Sequence, residues 1–557
     1  MLRPTFLSFE TAKRAINVSQ LGLDTVGHNI SNVNTPGYTR QRVDQLSLSL
    51  NGVSTKYKVH GANGQSPGLG VLYNGTSQIR DSYLDTRYRN EASTYGELAV
   101  KAAGLQELES IDEISADGLN AKMLDFINEL TKYASGASDV EIAAAVRNMA
   151  KQVTQVMNKA SAELENILNN QKEDLRISIT DDINTTLESI AYLNERIRQE
   201  HMTGNPANEL MDDRNLLIDK LSEFVNIKVV NTPEKISGDL TISRLSIVMV
   251  DSTTSPASEF TLVDNKEYNA LGMRENADGT VSIDLLEGYT MSPLKKDITG
   301  AVTKGAVKGY IDIINGSGDF AGRGDNSFRG VPYYMNMLDT YAATFAKYMN
   351  ECNSITAADA AAANSPFVKE YDPKNLFVSS DGGNITAKNI RLSQEWESES
   401  TFLTTSKMAP STADPEPVLK DGKPVYDDQG NQVFKDNANA DNVNKFVNML
   451  KGDMTFASVN RDNERIVLYT GGASEYMTSL MSTRGLDYSL NNTLLLASDK
   501  VISGHADSRD AISAVSVDEE AINMMTYQNY YNAAVRYMTT LDEALNQIIS
   551  GMGLVGR

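Results

Sequence analysis

Val517-Asp518-Glu519-Glu520-Ala521-Ile522-Asn523-Met524-Met525-Thr526-Tyr527 opens a run that continues to Ser550 without glycine or proline. Counting in sevens from Val517 gives Met524, Tyr531, Met538, Leu545 and Met552. A second row, three places behind, reads Glu520, Tyr527, Ala534, Leu541 and Ile548. From Met524 onward both rows are apolar, which predicts a helix with a coiled-coil seam. Ser516 and Glu519 have the spacing of a capping box at its start, and Gly551 and Gly553 end it. A seam needs a partner. The other end of the chain offers one in Leu2, Phe9, Ile16, Leu23 and Ile30, with Ala12, Ser19, Val26 and Val33 three places behind. Thr35-Pro36-Gly37 stops that second helix.

With 557 residues, 41% of them hydrophobic, the chain is long enough for two to four domains with proper cores. Its net charge of -22 excludes the electrostatics of nucleic-acid or anionic-membrane binding, because phosphates would be repelled. No apolar run has the length of a membrane span. The opening Met1-Leu2-Arg3-Pro4-Thr5-Phe6-Leu7 has neither the apolar core nor the small-residue site of a cleaved signal peptide. The single cysteine, Cys352, forms no internal disulfide and sits in a helical pattern as a small hydrophobe.

Between the two ends, Ala137 to Thr203 contains neither glycine nor proline, and its apolar residues recur at helical spacing. One helix there would span roughly 90 Å, and Thr180-Asp181-Asp182 is the place for a break. Ser138 and Glu141 suit a cap at its start. Asn208–Val225, Tyr333–Cys352, Asn442–Leu450 and Leu486–Val501 are helical in pattern and predicted to pack along this rod. Leu46-Ser47-Leu48-Ser49-Leu50 alternates as a strand does, ahead of a loop marked by Gly61, Gly64, Pro67, Gly68 and Gly70.

Two other stretches differ in character. Leu240 to Val250 and the Ala277-Asp278-Gly279 turn mark one, and the turns Asp381-Gly382-Gly383, Lys420-Asp421-Gly422 and Asp428-Gln429-Gly430-Asn431 mark the other, after Ala358–Ala363. Both read as hairpins. The fold expected is mainly α with β-rich inserted domains. Residues 1–40 and 510–557 form a terminal coiled-coil domain, and 41–230, 301–355 and 441–509 a helical rod. Residues 231–300 and 356–440 are the insertions.

Catalytic and metal motifs are missing. His28, His60, His201 and His505 have no partner at ligand spacing, and there is no H-E-x-x-H, G-x-S-x-G or phosphate-loop pattern. Asp212, Asp213 and Asp219 read as the solvated face of a helix rather than a metal site. Asn29, Asn32 and Asn34, just ahead of Pro36-Gly37, suit helix-ending polar contacts. Arg323-Gly324-Asp325, on a glycine-rich loop, raises the rival reading of a secreted adhesin.

The segment His28-Asn29-Ile30-Ser31-Asn32-Val33-Asn34-Thr35-Pro36-Gly37-Tyr38-Thr39-Arg40-Gln41 resembles the signature of the bacterial flagellar axial proteins. Val517 to Ala521, Tyr527-Gln528 and Thr540-Leu541-Asp542-Glu543 resemble their other end. Both ends are common to rod, hook and hook-associated proteins. Gly68-Leu69-Gly70-Val71, Asn208 to Ser222 and Gly305-Ala306-Val307-Lys308-Gly309 narrow the resemblance to the hook-associated protein 1 family. The chain departs from that pattern at Ala514 and in its tail, 551–557.

The resemblance implies a structural role with no enzymatic activity and no cofactor. It implies export without a cleaved signal peptide, through the flagellar type III apparatus, to the hook–filament junction outside the cell. There the subunits would self-assemble into a ring, with hook protein on one side and a second hook-associated protein or the filament on the other. Phe9, Ile16, Leu23, Ile30, Val33, Met524, Tyr531, Met538 and Leu545 would form the assembly interface, ordered only on assembly. A flagellar export chaperone would bind around Met524, Tyr527, Tyr531, Val535, Met538 and Leu541. The alternative within this class is another axial protein of hook or rod type.

Overall fold

The computed structural model describes residues 5–48, 70–135, 139–237, 240–251, 257–287, 294–356, 374–407, 419–420, 423–424, 440–452 and 454–552. Ser138, Leu2, Ala358–Ala363, the Asp428–Asn431 turn, Gly553, His60 and most of the Gly61–Gly70 loop lie outside those residues.

Helix α1 (Thr5–Ser31) leads to the antiparallel pair β1 (Gln41–Ser47) and β2 (Val71–Gln78). Then come α2 (Ser82–Ser135), α3 (Val140–Ile177), a π-helical turn (Ser178–Asn184), α4 (Thr185–Thr203) and α5 (Asn208–Phe224). The π turn falls at the predicted break, and the helix runs through it. An extra residue per turn lets a helix shift its buried face without ending. Here the shift presents Asn184, whose amide donates to Leu271 O at 2.9 Å and accepts from Leu271 N at 2.8 Å, to a strand edge. At its other end α3 is capped by Asp139, whose carboxylate accepts from Glu141 N at 2.8 Å.

The β-rich stretch 228–297 forms two antiparallel sheets. One contains β3 (Lys228–Ser237), β4 (Leu240–Asp251), β5 (Ser258–Asp264) and β6 (Glu267–Tyr268), and the other β7 (Ala270–Glu275), β8 (Val281–Glu287) and β9 (Leu294–Asp297). Both pack on the π turn and α4: Ile179, Ile183, Leu187 and Ile190 meet Ile247, Leu262, Leu271 and Ile283 in one buried cluster. After α6 (Ala306–Asn315) and α7 (Val331–Asn353), the chain makes β10 (Phe377–Ser379), β11 (Ile390–Leu392) and the short α8 (Gln394–Ser398). A two-residue pair, β12 (Leu419–Lys420) and β13 (Lys423–Pro424), precedes α9 (Asp441–Gly452) and the hairpin of β14 (Met454–Val459) and β15 (Arg465–Gly471). Two long helices close the chain, α10 (Ala473–Ser513) and α11 (Val517–Met552).

All four segments predicted as helical are so. Gly309 of α6 shows why the crossing with α2 needs glycine: a Cβ there would lie 2.7 Å from the Glu97 carbonyl oxygen. The stretch 374–407 does not stand apart from the helices. Phe377 and Trp396 lie edge to face at 5.6 Å, Phe377 meets Phe345 of α7 at 4.9 Å, and all three belong to the large core built on α2, α3, α7 and α9. Trp396 is fully buried there, so Trp396→Ala is expected to destabilise the helical core by about 3–5 kcal/mol in denaturant titration. Removal of 374–407 should unfold that core, and a cooperative helical melt surviving the cut would show the stretch to be separable.

Candidate assembly interface at the paired chain ends

Helices α1 and α11 pack together, running in opposite directions. Asn29 near the end of α1 meets Glu520 near the start of α11, and Gly22 meets Tyr527, seven residues on in each. The buried residues of α1 are Ser8, Ala12, Val18, Ser19, Gly22, Val26 and Asn29, and Ser8, Ala12, Ser19 and Gly22 among them are small. Phe9, Ile16, Leu23 and Ile30 flank that line half-buried, while Val33 lies beyond the helix and is exposed. From α11, Tyr527, Tyr531, Ala534, Met538, Leu541 and Leu545 turn inward, and Met524 and Val535 are more than a third exposed. The long side chains of α11 therefore lie across a groove of small ones on α1. At Gly22 a Cβ would stand 2.5 Å from the Tyr527 ring. Small residues at the closest approach are as much a packing signal as the large ones that straddle it: Ala12 and Ser19 fall in the second row of sevens, whereas Ser8 and Gly22 fall in neither row.

The two ends meet the rod at a polar joint. Asn29 donates to Gln41 O (2.8 Å) and to Glu520 Oε2 (3.1 Å), and accepts from Gln41 N (3.0 Å) and the Tyr38 hydroxyl (2.8 Å). Glu520 is 1% exposed and accepts from Arg40 Nε at 2.8 Å. Arg40 also reaches Glu519 at 2.5 Å, which draws that side chain away from the capping box, so Ser516 alone caps, loosely, through Glu519 N at 3.5 Å. Asn32 closes α1 by donating to His28 O at 3.0 Å and accepting from the Thr35 hydroxyl. Asn34 and Pro36 are exposed, and Gly37 holds a φ of +78° beside Leu216.

The aspartates of α5 correct the solvated-face reading. Asp212 and Asp219 are buried because each has partners that replace water, whereas Asp213 is exposed. Asp212 accepts from Thr39 N (3.0 Å) and Gln78 Nε2 (2.8 Å), and Asp219 binds Arg89 (2.6 Å) and Arg509 (2.5 Å). Burial raises the Asp212 carboxyl to about 6 against the opposing pull of the Thr39 hydrogen bonds and Arg80. Burial, with Asp212, Glu209 and Glu520 nearby, holds the Tyr38 phenol well above its ordinary range. Among the described residues no three of His, Cys, Asp and Glu converge as a metal site, and no helix is long and apolar enough to cross a membrane. Cys352 is buried with its Sγ 3.7 Å from Met449 Sδ.

The Arg323–Asp325 loop is held from within. Asp325 accepts from Gly322 N at 3.1 Å and lies 3.5 Å from Arg461, which also meets Asp278 at 3.3 Å. Arg323 N donates to Asp462 at 2.8 Å. The acidic group an adhesion receptor would read is thus engaged with the protein's own arginine.

Paired terminal helices joined to a helical rod define a protein of the flagellar axis. Models of the flagella basal body rod protein and of the flagellar basal body rod FlgEFG protein C-terminal match residues 9–39 and 509–551. The model of the flagellar hook-associated protein FlgK helical domain matches 105–360. Flagellar hook-associated protein 1 of Bacillus subtilis is 30% identical over 99% of this chain and 99% of its own. That of Escherichia coli is 27% identical over 39% of this chain and 38% of its own. The flagellar hook junction protein FlgK from Burkholderia pseudomallei shares the fold with a TM-score of 0.53 at 12% identity, covering 77% of this chain and 100% of that one. This chain belongs to the flagellar hook-associated protein 1 family, and is a structural component of the flagellum rather than an enzyme.

Two outcomes follow from the joint and the seam. Because Asp212 binds its proton more tightly folded than unfolded, its contribution to stability is full below 3.8 and is lost as pH rises through about 6. Wild type should therefore lose stability relative to Asp212→Asn between pH 4 and 7, read from denaturant midpoints; parallel curves would refute this. Gly22→Val should separate α1 from α11 at a cost of about 1–3 kcal/mol, seen as faster amide exchange over 8–29 and 520–545, and Tyr527→Ala should restore protection.

Proposed function

We propose that this chain stands outside the cell between hook and filament, as one of a ring of identical copies. The observation that carries the reading is the exposed apolar row of α10. Its two buried residues opposite the middle of α2 are polar: Asn491 donates to Leu98 O at 3.0 Å, and Ser498 to Glu91 at 2.5 Å, with Tyr488, Leu495 and Ile502 half-buried along the same face. Other apolar side chains point outward, with Leu486 71% and Leu490 62% exposed and Leu494 and Val501 beside them. On α11, Ile522 and Met525 are likewise exposed on the side away from α1, and Tyr530, Tyr537 and Ile549 are exposed at the edges of the seam. A row of large apolar side chains on two successive helices is costly to leave in water and is suited to burial against the same elements of a neighbour. The net charge of -22 keeps such copies apart until they are concentrated at a growing tip.

Export precedes assembly in this reading. A chain passed unfolded through a type III apparatus carries α11 without α1 beside it. Tyr527, Tyr531, Met538 and Leu541 are then uncovered together with Met524 and Val535. An export chaperone that holds this stretch competes with α1 for one face of α11 and releases it when the ends pair. Hook protein would meet one rim of the ring and the next hook-associated protein or the filament the other. The match of 105–360 to the FlgK helical domain favours this junction over a rod or hook subunit.

Leu490→Glu and Met525→Glu test the reading, because both side chains are exposed in the single chain. Each should leave the thermal midpoint of the free protein within about a degree or two and abolish its incorporation at the hook tip. Normal filaments on cells carrying both substitutions would overturn the proposal.

A further inference from the structure

A cavity of about 550 Å³ opens between the end of β2, the start of α2, the N-terminal half of α5 and strands β3 and β4. Arg80, Arg89 and Arg214 line it together with Ser77, His201 and Asn215. Arg80 is neutralised by Asp85 through two hydrogen bonds of 2.6 and 2.9 Å, and Arg89 spends its Nε on Asp219. Arg214 pairs with no carboxylate among the described residues. It donates one NH to Asn194 Oδ1 at 2.9 Å, and its Nε has no partner among the described residues. The second terminal nitrogen of Arg89 and the Ser77 hydroxyl are also buried and unpartnered. Both arginines are only 9% exposed.

Burying a guanidinium without a countercharge is among the costliest placements a protein makes. The excess is local. Asp219 is shared with Arg509, so the four cations Arg80, Arg89, Arg214 and Arg509 face two carboxylates, Asp85 and Asp219, with Asp212 beyond Arg80. In a chain of net charge -22, no general lack of acid explains this. The field is felt by the neighbours: burial together with Arg89 and Arg80 brings the Arg214 guanidinium down to about 10, and burial with Arg214 lowers His201. The α5 N-terminus at the same wall begins at Ala207 without a side-chain cap, which adds backbone N–H groups and the positive end of a helix dipole.

We propose that this cavity binds a small free oxoanion, a phosphate or carboxylate group, held by Arg214 with Arg89. The planar fork of arginine matches two oxygens of such a group at once. The site joins β2, α2, α5 and the β3–β4 sheet, so an anion in it ties the rod to the β-rich sheets.

Isothermal titration of inorganic phosphate into the full chain, at ionic strength fixed with chloride, tests the proposal. Saturable one-to-one binding is expected, with a thermal midpoint that rises with occupancy. Acetate in place of phosphate tells the two classes apart: equal binding assigns a carboxylate site, and weaker binding a phosphate site. Arg214→Met should weaken binding by about tenfold or more. Asn215→Asp places a carboxylate within the cavity, and should raise the midpoint while removing the response to phosphate, which keeps the test decisive where Arg214→Met folds poorly. Binding of neither anion by the wild type, or phosphate binding by Asn215→Asp equal to wild type, overturns the site.

Discussion

Every passage of the chain between the terminal helices and the rod runs past Arg40. Its side chain holds Glu520 and Glu519 at the start of α11, its N–H donates to Ser513 O at the end of α10, and its carbonyl accepts from Ile79 N after β2. Glu520, buried at the first turn of α11, gains from the positive end of that helix and from Asn29 as well as from Arg40. Removing one member of such a buried pair costs about 3–5 kcal/mol, because the other charge is left without water or partner. The antiparallel pair could be built from α1 and α11 alone. Its direction relative to the rod depends on this joint.

The joint and the outer faces divide the work between two kinds of interaction. Inside, where α1 turns into β1 and α10 turns into α11, the contacts are directional: amide to carbonyl, guanidinium to carboxylate, phenol to amide. They fix angles, and they hold only when each partner is in place. Outside, Leu486, Leu490, Ile522 and Tyr530 offer area without direction. A subunit that must seat against several neighbours needs its own geometry set first, and area afterwards.

The fold was largely open to reading where period and punctuation agree. The long apolar rhythm of 140–203, with Thr180-Asp181-Asp182 as its weak point, became α3, the π turn and α4. The rhythm of α11 likewise placed Tyr527, Tyr531, Ala534, Met538, Leu541 and Leu545 on one face. Three things were hidden. Of the small residues on the inward side of α1, Ala12 and Ser19 stand in the second row of sevens, but Ser8 and Gly22 carry no hydropathy signal and matter through their smallness. Asp212 and Asp219 look like surface on a helix until Thr39, Arg89 and Arg509 arrive from elsewhere in the chain. The row Leu486, Leu490 and Leu494 of α10 shows a regular stripe but not which way it points; that is set in part by Asn491 and Ser498 finding partners on α2.

The rod holds two hydrophobic cores, one around α2, α3 and α7 and one around the π turn, α4 and the β3–β9 sheets, with Leu168 of α3 touching both. α3 is not the only element that joins them: α6 gives Ile313 to the first core and Val307, Ile311 and Ile314 to the second. Arg461 adds a polar link at the surface: it sits on the β14–β15 turn, binds Asp278 on the β7–β8 turn and Asp325 on the loop after α6, while its N–H donates to Phe320 O at 3.1 Å. Exposed ion pairs are individually weak, so this link supplements the apolar packing of α3 and α6 rather than replacing it. The Arg323–Asp325 tripeptide therefore has a reason to be where it is that involves no receptor: it ties the loop after α6 to the two hairpin turns beside it.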